Sequence, residues 1–85
     1  MERYSVTESQ LNTNGAISHI NIDYGTDGQA ALAHYHTALA SGISSLLVAN
    51  TATLVMMDDE TGNGYTRCET VKGTGVYTPT EQEEE

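Results

Sequence analysis

Apolar and polar positions alternate over the first 25 residues, with Tyr4 and Val6 in one run and Ile20, Ile22 and Tyr24 in the next. That period of two is the mark of half-buried strands, and Asn14-Gly15 between the runs marks a reversal of the chain. The hydrophobic set also selects a register. A two-residue turn would place Ile20 and Ile22 opposite Ser9 and Thr7, leaving the apolar residues on opposite faces. A three-residue loop Thr13-Asn14-Gly15, with Gly15 left-handed, pairs Val6 with Ile22 and Tyr4 with Tyr24 on one face. The expectation is a hairpin in that second register.

From Thr26 to Ser41 the period becomes helical. At 100° per residue, Ala31, Leu32, Tyr35, Ala38 and Leu39 fall in a stripe about 100° wide, enough to cover one face of a sheet. Thr26 and Gln29 form a capping-box pattern, Asp27 suits the positive end, and Gly42 is placed to stop the helix in the left-handed conformation. Residues 44 to 58 are rich in strand formers such as Val48, Thr51, Thr53, Leu54 and Val55. Asp58 to Gly64 reads as a turn, and Tyr65 to Val71 alternates as a returning strand. The predicted order is ββαββ. An α+β domain follows, with a four-stranded antiparallel sheet and one helix packed on one face, over residues 1–72. Residues 73–85, GTGVYTPTEQEEE, read as a flexible acidic tail, in which Val76 and Tyr77 have the makings of a short added strand.

Charge changes this picture at one place. Residues 28–57 contain no Asp, Glu, Lys or Arg, although the chain carries twelve acids and three bases. A solvated element normally shows a charged face, so an uncharged outer face argues for cover by another protein surface. The apolar residues from Leu46 to Met57 are too many for one face of a strand pair. The first expected self-association surface is therefore Leu46, Leu47, Val48, Leu54 and Met56. The second is the small-residue back of the helix, Ala30, Ala33, Thr37 and Ala40, where small side chains let backbones approach closely. An 85-residue chain with five Tyr and neither Phe nor Trp has a modest core, which adds weight to a homo-oligomer.

A formal net charge of −9 disfavours direct contact with a nucleic-acid backbone and favours a basic protein partner. The acids cluster at Asp58, Asp59 and Glu60 and again at the end of the chain, where Glu83, Glu84 and Glu85 lie; these six are the candidates for binding a basic surface. The start of the chain has neither a basic nor an apolar segment, so no export signal is expected. The uncharged block is interrupted by His34, His36 and several Ser, Thr and Asn, so no membrane span is expected. Lone Cys68 excludes an intramolecular disulfide and fits a strand position better than a reactive thiol.

Catalytic chemistry finds little support. His34 and His36 are two apart, which on a helix points them away from one another, and His19 sits on the hairpin; no metal site is expected. The imidazoles of His34 and His36 border the apolar stripe, where they can hydrogen-bond and confer pH sensitivity on an assembly between pH 5 and 7. The segment from Asp58 to Gly64 lacks the ligand spacing of a calcium loop. No base and orienting acid converge in sequence on Cys68 or a serine, and neither Gly62-x-Gly64 nor Gly73-x-Gly75 leads into a helix. The reading is of a non-enzyme without cofactor.

Three segments, Ile20-Asn21-Ile22-Asp23-Tyr24, Ala30 to Ala40 and Met57-Asp58-Asp59-Glu60-Thr61-Gly62, give the chain a layout over residues 16–71 that resembles short uncharacterised proteins of phages and mobile elements. The resemblance implies an accessory role, in the host cytoplasm or associated with a virion, and lends no catalytic residues. The expected function is a small acidic interaction protein that works as a homo-oligomer. The alternative is an acidic inhibitor that imitates nucleic acid and occupies the basic groove of a host defence or nucleic-acid-binding enzyme.

Overall fold

The computed structural model describes residues 1–78. Within them the elements run β1 (Glu2–Leu11), β2 (Ile17–Gly25), α1 (Gly28–Ile43), β3 (Ala49–Asp58) and β4 (Gly64–Lys72). The strands form one open antiparallel sheet in the order β2-β1-β3-β4, and α1 lies across one face. This is the ββαββ layout that the periodicities predict.

The β1–β2 hairpin adopts the expected register over most of its length, with Val6 opposite Ile22 and Leu11 opposite Ile17. Its loop is closed by the Asn12 N–H donating to the Ala16 carbonyl at 2.9 Å, and Gly15 takes φ +92°. The register departs from expectation at the far end, where Tyr4 pairs with Gly25 and Tyr24 is the extra residue of a β-bulge. Gly25, at φ +60°, adopts a backbone conformation that a β-branched residue resists. The bulge and this glycine turn the chain out of the sheet and towards α1, which begins three residues later.

Helix α1 is displaced from the predicted Thr26–Ser41 by two residues at each end. Asp27 is the N-cap, its carboxylate accepting the Ala30 N–H at 3.1 Å, in place of the Thr26–Gln29 box. Gly42 is buried inside the helix and has no positive φ, and the C-cap is Ser44. A Cβ on Gly42 would lie 2.8 Å from Val71 Cγ2 and 3.0 Å from Asn50 Cβ. Glycine is needed there for close approach to β3 and β4.

The core consists of Val6, Ala31, Tyr35, Ala38, Leu39, Ala52 and Leu54, with Tyr4, Tyr24 and Val71 packed at its margin. The helix sits over β3 and β1, reaches β4 less, and touches β2 least. Residues 44–48 precede β3 as irregular chain, although their composition suggests strand. Residues 73–78 are pinned by hydrogen bonds. The N–H groups of Gly73, Thr74, Gly75 and Thr78 donate to the carbonyls of Val48, Ser45, Leu47 and Thr13 at 3.0, 2.8, 3.0 and 2.7 Å. The segment expected to open a flexible tail instead straps one end of the sheet, and Tyr77 packs against Gly15.

Candidate interaction surfaces

Because side chains alternate along a strand, the pairing registers assign each residue to a face. Tyr4, Val6 and Glu8 of β1, Ile20 and Ile22 of β2, Ala52, Leu54 and Met56 of β3, and Tyr65, Arg67, Glu69 and Val71 of β4 share the helix side. The opposite face is dominated by Ser5, Thr7, Ser9, Asn21, Thr51, Thr53, Thr66 and Thr70. Its side chains bond across strands: the Thr7 hydroxyl donates to Asn21 Oδ1 at 2.9 Å, Ser9 meets His19 Nδ1 at 3.0 Å, and Thr51 meets Thr70 at 2.7 Å. The middle of this face is thus polar and bonded to itself, with Val55 and Met57 at one end and Leu11 and Ile17 at the other. A shallow depression of about 280 Å³ opens at one end of it, lined by Arg3, Tyr4, Ser5, Asn21, Asp23, Val55 and Met57.

The expected strand interface is divided by this geometry. Strand β3 is interior, paired on both sides, and Leu54 is 1% exposed under α1. That removes Leu54 from the surface: it alternates in phase with Ala52 beneath the helix, which sequence spacing could not show. Met56 is half-buried on the same face, and Leu47 and Val48 are half-buried ahead of β3. Leu46 is 83% exposed. Of the helix back, Ala33, Thr37 and Ala40 are exposed and Ala30 is half-buried. Leu46 lies at the strapped end of the sheet, where Ile17, Ile43, Val76 and Tyr77 also present apolar surface.

The acidic turn is internally engaged. Asp58 and Asp59 accept from the Met1 ammonium at 3.0 and 2.9 Å, and Arg3 Nε donates to Asp59 at 2.9 Å. The Glu60 N–H donating to the Asp58 carboxylate, followed by the Met1 contact, holds Asp58 below the ordinary carboxylate range. The Met1 ammonium, then Arg3, does the same for Asp59, while both carboxylates raise the Met1 amine. Glu60 is largely exposed, 3.6 Å from the same ammonium. Glu83, Glu84 and Glu85 lie outside the described residues.

A polar chain beside the core is less visible in the sequence. His34 Nε2 lies 2.6 Å from a Glu8 oxygen, His34 Nδ1 lies 2.8 Å from the Tyr24 hydroxyl, and Asn50 Nδ2 donates to Glu8 at 3.3 Å and to the Ala38 carbonyl at 3.1 Å. One arrangement satisfies His34 fully, with Nε2–H donating to Glu8 and Tyr24 O–H donating to Nδ1. The signal for Glu8 was its phase: it shares the face of Tyr4 and Val6 and so had to meet the helix. His36 is exposed and stacks edge-on against Tyr35, and His19 stays on the open face, so the three imidazoles do not converge. Among the described residues, no group of three or more His, Cys, Asp and Glu side chains gathers to hold a metal ion. Cys68 is exposed, accepting a 3.4 Å contact from the Thr53 hydroxyl.

No protein-family model, no curated protein and no solved structure matches the chain. Among the described residues, no helix is long and apolar enough to cross a membrane.

Proposed function

We propose that this chain is a non-catalytic accessory protein that works by protein–protein contact and associates with itself, in the phage or mobile-element setting that its layout resembles. One observation carries the reading: the surface holds more large apolar side chains than the core. Among the described residues, only Tyr35, Leu54 and Val6 are large and fully buried, whereas Ile17, Ile20, Ile22, Leu32, Ile43, Leu46 and Tyr65 are among those left exposed. Burial of a large apolar side chain contributes roughly 1.5–3 kcal/mol, so association that covers even a few of these compensates for the small core.

The polar open face narrows where contact is made. Its middle is tied by cross-strand hydrogen bonds and its apolar groups lie only at its two ends, Val55 and Met57 at one and Leu11 and Ile17 at the other, so the self-association surfaces are the margins of the helix layer and the strapped end. Imitation of nucleic acid is less well supported, because Asp58 and Asp59 spend their charge on Met1 and Arg3. Sedimentation velocity over a range of micromolar concentrations tests the proposal. A concentration-dependent rise to a multiple of the chain mass is expected, and a monomer throughout overturns it.

A further inference from the structure

Among the described residues both outer strands have an unpaired edge, and the two edges differ. Strand β2 keeps an unbroken register with β1 over residues 17–23 and then bulges at Tyr24, a device that blunts pairing with another chain at that end and leaves a shorter regular edge. Strand β4 has nine residues in unbroken register with β3, without bulge or proline. Every residue of β4 except Val71 is exposed. A long regular edge of this kind is a template for a further strand.

The flanking hydrogen bonds fix which backbone groups are free. On the β3–β4 register, the Asp58 N–H donates to the Asn63 carbonyl and the Gly73 N–H to the Val48 carbonyl. Antiparallel pairs alternate between bonded and non-bonded, so odd-numbered β4 residues turn their N–H and C=O groups to β3. Those of Thr66, Cys68 and Thr70 therefore point outwards. A second β4 running antiparallel can bond to them in only a few registers. Centring the two-fold axis on Arg67 sets Arg67 against itself, and centring it on Glu69 sets two carboxylates together. Centring it on Cys68 pairs Arg67 with Glu69 of the second copy, twice, with Thr66 opposite Thr70 and Tyr65 opposite Val71. That register is complementary in charge and in apolar contact.

The helix layer points the same way. Tyr35 leans to the β4 side, where the Arg67 guanidinium lies 5.2 Å from its ring centre, while His34 leans to β1 and β2. Helical spacing puts Leu32, Leu39 and Ile43 beside Tyr35 on the β4 flank, and Leu32 and Ile43 are exposed. Since α1 sits off-centre towards β4, pairing there brings two helix flanks towards one another over the new strands. Pairing through β2 would leave the two helices farther apart, with Ile20 and Ile22 as an open floor.

The geometry points to a symmetric dimer in which β4 pairs antiparallel with β4 of a second copy about Cys68, making one continuous eight-stranded sheet. This rests on the self-association reading and specifies its surface. The two strands then bring the Cys68 residues directly opposite, at a Cα separation of about 5.5 Å for a hydrogen-bonded pair.

The test combines a short bis-maleimide cross-linker on the unmodified chain with charge reversal, read by sedimentation velocity and with circular dichroism as the folding control. Efficient Cys68–Cys68 cross-linking at concentrations where the chain is dimeric is expected. Glu69→Arg, which sets Arg against Arg67, weakens the dimer at least tenfold, and the double exchange Arg67→Glu with Glu69→Arg restores it. A dimer that neither cross-links through Cys68 nor responds to Glu69→Arg overturns this register and leaves self-association standing. A monomer at every concentration overturns both. The cross-linking arm uses the native sequence, so it decides the question even where a variant fails to fold.

Discussion

Tyr35 places its ring at the centre of the core, and among the described residues its hydroxyl makes no well-formed hydrogen bond, although the Glu69 carboxylate lies close by. Burial, then the Glu69 charge, pushes the phenol above its ordinary range, so the group stays neutral and its desolvation is only weakly compensated. Tyr35→Phe keeps the ring against Arg67 and is expected to raise stability by about 1 kcal/mol, measured by urea unfolding at fixed protein concentration. Glu8 stands in the opposite position, since its carboxylate serves both His34 and Asn50. Glu8→Ala leaves those two groups short of a partner beside the core, and a loss of about 1–3 kcal/mol in the same unfolding measurement is expected. Among the described residues the Asn50 amide oxygen has no partner, so the network has little slack.

The helix ends show how far local patterns carry at the scale of an element. A helix after Thr26 was legible because five apolar residues share a stripe, and helix-cap residues were present in number. Which of them caps was not legible, because Thr26 and Asp27 both qualify and the exit from the β2 bulge selects Asp27. Removing its carboxylate in Asp27→Ala is expected to cost about 0.5–2 kcal/mol, seen as a lower urea midpoint with an unchanged slope. Gly42 has the sequence context of a helix stop, yet in the fold it is a point of close contact. Valine at Gly42 drives a branched side chain into Val71 and Asn50, and a loss of about 1–3 kcal/mol is expected, although glycine is the poorer helix former. A gain in thermal midpoint for Gly42→Val would refute the close-approach account.

For the whole molecule, the acidic turn ties the first residue of the chain to the β3–β4 connection and makes stability depend on pH at both ends of the range. Asp58 and Asp59 have lowered folded values, so their contribution is complete above the unfolded value near pH 4 and is lost as pH falls further. The Met1 amine is raised, so its contribution is complete below about pH 8 and is lost as pH climbs through its folded value. The stability difference between the native chain and Asp59→Asn is therefore expected to be flat from pH 5 to 7 and to shrink on either side. Thermal midpoints across pH check this; a difference that stays undiminished as pH falls from 5 to 2 counts against it. The exposure of these groups and their screening by salt keep the effect small.

What the sequence determined by itself was the set of elements and most of the hairpin register, because period and turn chemistry act between near neighbours. The alternation of Tyr4 and Val6 against Ile22, with glycine at the left-handed turn position, left one register with a single apolar face. Strand order was not encoded at that range. Only the tertiary structure placed β3 between β1 and β4, and that placement moved Leu54 from an expected interface into the core while leaving β4 at the rim. It also made the partners of Glu8 visible, since His34 lies 26 residues away in sequence and is brought to it only when the helix folds back over the sheet. The physical reason is common to all three cases. A side chain's neighbours along the chain follow from local geometry, whereas its neighbours across the sheet depend on which strands pair, a choice made by burial of the whole apolar set together.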